Sequence, residues 1–124
     1  MSELKQQVKN RYASFIASIC NNAIEKTVGI SKESNLVKSR IARNMLKDKN
    51  VHVYFDDNNI IIDMYVNVDF GISIPEVVCS LQELIKNDVE KETSFSVKQI
   101  NINVTNINLW IINLEKNLEK QRIN

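Results

Sequence analysis

At 124 residues, with 44% hydrophobic and 25% charged side chains, the chain has the make-up of an ordinary globular domain and too little polar excess for a disordered one. Its length predicts a single domain over 1–124 with one core. A formal net charge of +1 excludes a global field drawing it to nucleic acid or anionic lipid, and no apolar run approaches the ~18 residues of a membrane span, so direct membrane insertion is not expected.

The opening Met1-Ser2-Glu3-Leu4-Lys5 lacks the apolar stretch of a secretory signal, which makes a cytoplasmic location the expectation. From Val8 to Ile24, apolar residues recur as Val8, Tyr12, Phe15, Ile16, Ile19, Cys20, Ala23 and Ile24, the three-and-four spacing of one helical stripe. Gly29, one of two glycines, stands where a left-handed residue can end that helix. Ser31 to Asn50 is locally basic, and its Leu36, Val37, Ile41 and Leu46 fit either a short helix or a loop.

Val51 to Phe55 and Ile60 to Phe70 alternate on either side of Asp56-Asp57-Asn58-Asn59, which predicts a hairpin. Period two puts Val51, Val53, Phe55, Ile60, Ile62, Met64, Val66, Val68 and Phe70 on a core face. His52, Tyr54, Ile61, Asp63, Tyr65, Asn67 and Asp69 fall on the opposite, polar face. Gly71 breaks the strand. Ser73 is then the expected N-cap of a second helix, with Pro75 in its first turn and Glu76 completing a capping box.

Val77, Val78, Leu81, Leu84, Ile85 and Val89 give that helix an apolar stripe running to about Glu92. Val97 to Ile107 alternates again, with Ile100, Ile102 and Val104 inward and Asn101, Asn103 and Thr105 outward. The order α-β-β-α-β predicts an α+β two-layer sandwich, a three-stranded sheet with two helices on one face. Residues 108–122, with Trp110, Ile111, Leu114 and Leu118 on one stripe, predict an additional C-terminal amphipathic helix.

The run Phe70-Gly71-Ile72-Ser73-Ile74-Pro75-Glu76-Val77-Val78, then Leu81-Gln82-Glu83 and Val97 to Ile107, resembles the signature of the alkaline shock protein family of Gram-positive bacteria. Ile16, Ile19, Ala23 and Val28-Gly29-Ile30 resemble its first helix, so the likeness covers about 12–107. Ser94 and Asn106 stand where that family usually has glycine, and the basic segment replaces its Gly-rich connector. The resemblance implies a cytoplasmic, envelope-stress-related protein without enzymatic activity, in some members held at the membrane by a membrane-anchored partner.

Weighed residue by residue, the sequence offers no catalytic set, cofactor loop or metal motif. His52, Asp63 and Asp69 share a face but lack ligand spacing, and a solvated sheet surface explains them. Two isolated glycines cannot build a phosphate loop. Cys20 and Cys79 sit in apolar helical patterns, and both are expected to be buried thiols.

Tyr54 and Tyr65 are candidate partner anchors. So are Trp110, Ile111, Leu114 and Leu118, unless that helix folds back over a sheet edge. Lys38, Arg40, Arg43, Lys47 and Lys49 fit a solvated loop or, alternatively, phosphate contacts of a small RNA-binding module. The expectation is thus a scaffold or regulatory protein that binds a protein partner or itself as a homo-oligomer, with Gly29, Gly71, Ser73, Pro75 and Glu76 in structural roles.

Overall fold

A computed structural model of the protein describes residues 2–32 and 50–108, with side chains from Lys5 onward. Helix α1 spans Ser2–Lys26, followed by strands β1 (Ile30–Lys32), β2 (Val51–Asp56) and β3 (Asn59–Asp69), helix α2 (Ile74–Glu92) and strand β4 (Ser96–Asn108). The expected α+β architecture is present. The predicted C-terminal helix over 108–122 lies outside the described residues from 109 onward.

The sheet has four strands instead of three, because β1 precedes the hairpin. Three residues are too short to show alternation, and pairing alone explains the strand. β2 runs antiparallel to β3 only as far as Met64, which leaves the far end of that edge open, and Ile30, Ser31 and Lys32 fill it opposite Val68, Asn67 and Val66. Along its other edge β3 pairs in parallel with β4, from Asn59↔Ser96 to Asp69↔Asn108, with register shifts that leave Lys98 and Thr105 as extra residues. The sheet is therefore mixed. Parallel neighbours need a crossover, and α2 supplies it.

Both helices lie on one face. α1 covers β1 and β2, α2 covers β4, and the two touch each other. Ile16, Ile60, Ile62, Met64, Val66, Leu81, Ile85 and Val89 are fully buried between the layers, with Cys20 and Ala23 among them. The α2 stripe is the predicted one, Val77, Leu81, Ile85 and Val89 buried. Ile100, Ile102 and Val104 point inward, half-buried, because β4 lies at the sheet's border.

Several side chains depart from the period-two and period-three-and-four readings. Val8, Tyr12 and Phe15 are exposed. A 25-residue helix is about 37 Å long, and its buried residues, Ile16, Ala17, Ile19, Cys20, Ala23 and Ile24, all lie in its second half. Phe70, expected in the core, is 51% exposed because β3 ends at Asp69, before α2 begins. Cys79, expected to be buried, is exposed, while Cys20 is buried; Cys79 falls between the Val77–Leu81 stripe positions and faces outward.

Asn67, on the polar face, is nonetheless only 3% exposed, and its Oδ1 accepts a hydrogen bond from Thr105 Oγ1 at 3.3 Å. Ser73 is the N-cap of α2 and Pro75 stands in its first turn, but the Ser73 side chain makes no capping hydrogen bond. The expected capping box is thus only half present, as Glu76 in a first turn where its charge suits the helix dipole. The hairpin turn is tighter than its four polar residues suggest, with Asp57 at φ +54°, a conformation Asp tolerates.

Candidate interaction surfaces

Strand alternation puts His52, Tyr54, Asp63, Tyr65, Asn67, Asp69, Asn101, Asn103 and Thr105 on the face away from the helices. His52 stands opposite Asp63, and its ring meets Tyr65 edge-on with centroids 6.1 Å apart. The carboxylates accept from neighbouring amides: Asn108 Nδ2 donates to Asp69 Oδ1 at 2.9 Å and Asn103 Nδ2 to Asp63 Oδ1 at 3.4 Å. Asn103 Nδ2 also donates to Met64 O at 3.0 Å, and Thr105 Oγ1 to Val66 O at 3.2 Å. These bonds tie β4 to β3.

Asp63 and Asp69 lie about 20 Å apart along one strand, too far to serve one reaction centre with His52. Among the described residues, no group of three or more His, Cys, Asp or Glu side chains could hold a metal ion. A groove of about 650 Å³ along α1 and β1 is lined by neutral Ser14, Ser18, Asn21 and Asn22, with Glu25 and Lys32 as its charges. Burial alone pushes the Cys20 thiol from 9.0 up to about 12, so it stays protonated and unreactive at neutral pH.

Of the anticipated partner anchors, Tyr54 is 54% exposed and Tyr65 is half-buried on the same polar face. Trp110, Ile111, Leu114 and Leu118, and the basic Lys38, Arg40, Arg43, Lys47 and Lys49, lie outside the described residues.

A surface that the sequence reading missed lies where α1 leads into β1, β3 leads into α2, and β4 ends. Asp69 N–H donates to Gly29 O at 2.8 Å and Phe70 N–H to Asn108 O at 3.0 Å, which draws these segments together. Here Val28 is 87% exposed, and Phe70, Ile72, Ile74 and Ile107 are also exposed. Gly29 allows the closure. At φ +94° it adopts a backbone that L side chains resist, and a Cβ there would stand 2.9 Å from Ile72 Cγ1. Gly71, at φ +90°, turns the chain toward α2 in open space. The available signal was two glycines each flanked by aliphatic or aromatic residues, Val28-Gly29-Ile30 and Phe70-Gly71-Ile72; turn residues are ordinarily polar.

A second apolar surface lies along the first half of α1. Tyr12 packs edge-on against Phe95 at 5.2 Å, Phe95 against Phe55 at 5.3 Å, and Val8 and Phe15 extend the cluster into solvent. Among the described residues, no helix is long and apolar enough to cross a membrane.

A family model matches residues 3–109 of the chain; it describes the alkaline shock protein family, with a cell envelope-related function. The uncharacterized protein YqhY of Bacillus subtilis (strain 168) is 44% identical over 59 residues, which is 48% of this chain and 44% of that protein. The chain thus aligns with less than half of that relative's length. No solved structure matches it.

Proposed function

The chain belongs to the alkaline shock protein family, whose function is cell envelope-related, and on that footing we propose that it is a non-catalytic scaffold or regulatory protein acting by protein–protein contact. In this reading it works in the cytoplasm in envelope stress or homeostasis, self-associates, and meets the envelope through a membrane-anchored protein partner. It uses no cofactor, and nucleic acid is not its partner.

The observation that carries the reading is the apolar end surface. Val28, Phe70, Ile72, Ile74 and Ile107 stand in solvent on segments held together by backbone hydrogen bonds, with Ile72 in the space that a side chain at position 29 would fill. Ordered apolar patches of this kind are characteristic of binding surfaces, and a rigid frame lowers the entropy lost on binding. Tyr54 on the neighbouring polar face adds an amphipathic anchor.

The reading is tested with Val28→Ser and Phe70→Ser, substitutions at solvent-facing positions that leave the core intact. Chemical cross-linking in the native cell should give discrete adducts with the unchanged chain and lose them in the double variant, with circular dichroism unchanged. Identical adduct patterns in both proteins would remove this surface from the function.

A further inference from the structure

We infer that the open edge of β4 is a self-pairing edge, on which a second copy of the chain adds its own β4 antiparallel about a two-fold axis at Asn103. The inference deepens the self-association reading above and rests on it.

The direction of each backbone group on β4 follows from β3. Tyr65 N–H donates to Asn50 O on the β2 side, so alternation turns Met64 and Val66 toward β4. Parallel pairing in the register Met64↔Ile102 and Val66↔Val104 then engages Asn101 and Asn103, and turns the amides and carbonyls of Ile102 and Val104 outward. Phe70 N–H donating to Asn108 O, past the extra residue Thr105, keeps the same phase.

An open edge is normally managed by the protein itself, and here the first half is. Val97 N–H donates to Glu90 Oε2 at 2.8 Å, and Ile100 O accepts from Gln82 Nε2 at 3.0 Å, both side chains reaching down from α2. Further on, Ile107 N–H is taken by its neighbour Asn106 Oδ1 at 2.9 Å. Between these caps, no described residue covers the backbone of Ile102 and Val104. The stretch Gln99–Asn108 contains no charge, proline or glycine, the three usual protections of an exposed edge.

The residues also specify the occupant. With Asn103 opposite Asn103, Ile102 stands opposite Val104 and Asn101 opposite Thr105. Apolar therefore meets apolar on the helix-covered side, amide meets amide or hydroxyl on the other, and no like charges face each other. In that register Ile102 and Val104 are the outward-pointing residues of both copies, so each forms a reciprocal hydrogen-bonded pair with the other, and Asn103 falls at the closely spaced pair without backbone bonds. The two sheets become one, with all four helices on the same side.

Disulfide trapping and sedimentation test it on the full chain. In a Cys79→Ser background, which removes the exposed native thiol, Asn103→Cys places two thiols across a pair with Cα atoms about 4.5 Å apart, within disulfide reach. Asn101→Cys puts them about 13 Å apart in the same dimer. Under mild oxidation Asn103→Cys should become a covalent dimer and Asn101→Cys should not. Ile102→Pro, which removes an outward amide, should raise the dimer dissociation constant at least about tenfold by sedimentation velocity, with circular dichroism unchanged.

Self-association without Asn103→Cys trapping, or equal trapping at both positions, overturns the β4 pairing and leaves the interaction reading standing. A chain that stays monomeric at sub-millimolar concentration also overturns it. So does one that dimerises only after residues 109–124 are removed, since its own tail would then be the occupant.

Discussion

The two glycines offer a controlled comparison, because they share a backbone conformation and differ in the space around them. Gly29 and Gly71 have φ of +94° and +90°, so alanine at either costs about 1–2 kcal/mol for the left-handed backbone alone. At Gly71 nothing lies within 4 Å of the added methyl, and the cost ends there. At Gly29 the methyl would meet Ile72 Cγ1 at 2.9 Å, Cγ2 at 3.1 Å and Cδ1 at 3.2 Å, and overpacking adds about 1–3 kcal/mol. Gly29→Ala should therefore cost about 2–5 kcal/mol and Gly71→Ala about 1–2 kcal/mol.

Urea denaturation followed by circular dichroism measures both. The cycle with Ile72→Ala separates the two effects, since shortening Ile72 relieves the crowding and leaves the backbone penalty. Gly29→Ala in that background should cost no more than Gly71→Ala does. Equal costs for the two glycines in the unchanged background, or no coupling between positions 29 and 72, would refute the close approach as the reason for glycine at 29.

Other expectations follow from single contacts. Ser73→Ala should cost less than about 0.5 kcal/mol, against the ~1 kcal/mol of a bonded cap, because the Ser73 side chain makes no capping bond; chemical denaturation reads it. Ile62→Ala, at a fully buried position in the central strand, should cost about 2–5 kcal/mol in the same assay. A disulfide reagent at neutral pH should titrate one thiol, Cys79, in the folded chain and two after unfolding. Burial raises Cys20 from 9.0 to about 12, so its contribution to stability is full below pH 9 and is lost as pH rises toward 12. Relative to Cys20→Ala, the unchanged chain should lose about 1.4 kcal/mol per pH unit in that window.

Most of the layer structure was legible in the sequence because it rests on periodicity. The α2 stripe and the inward faces of β2 and β3 need only repeat spacing to be read, and burial at Val77, Leu81, Ile85, Ile60, Ile62 and Met64 follows it. Strand β1 was not legible, since three residues carry no period and its pairing depends on where β2 stops along β3. Phe70 and Cys79 were misplaced because a pattern continues past the point where the opposing layer ends or turns away. The apolar end surface was hidden for a related reason: it is assembled from Val28, the Phe70 to Ile74 turn and Ile107, which only the fold brings together. By contrast Tyr54, read as exposed from strand alternation, is exposed.

The central claim is that this protein works through its surface, and above all through the end where Val28 and Phe70 face solvent. A photo-reactive amino acid placed singly at 28, 70 and, as a control on the outer face of α2, at 83 tests it within the native cell. The account predicts discrete protein adducts from positions 28 and 70 and none from 83. Uniform labelling from all three positions, or none from any, would contradict it.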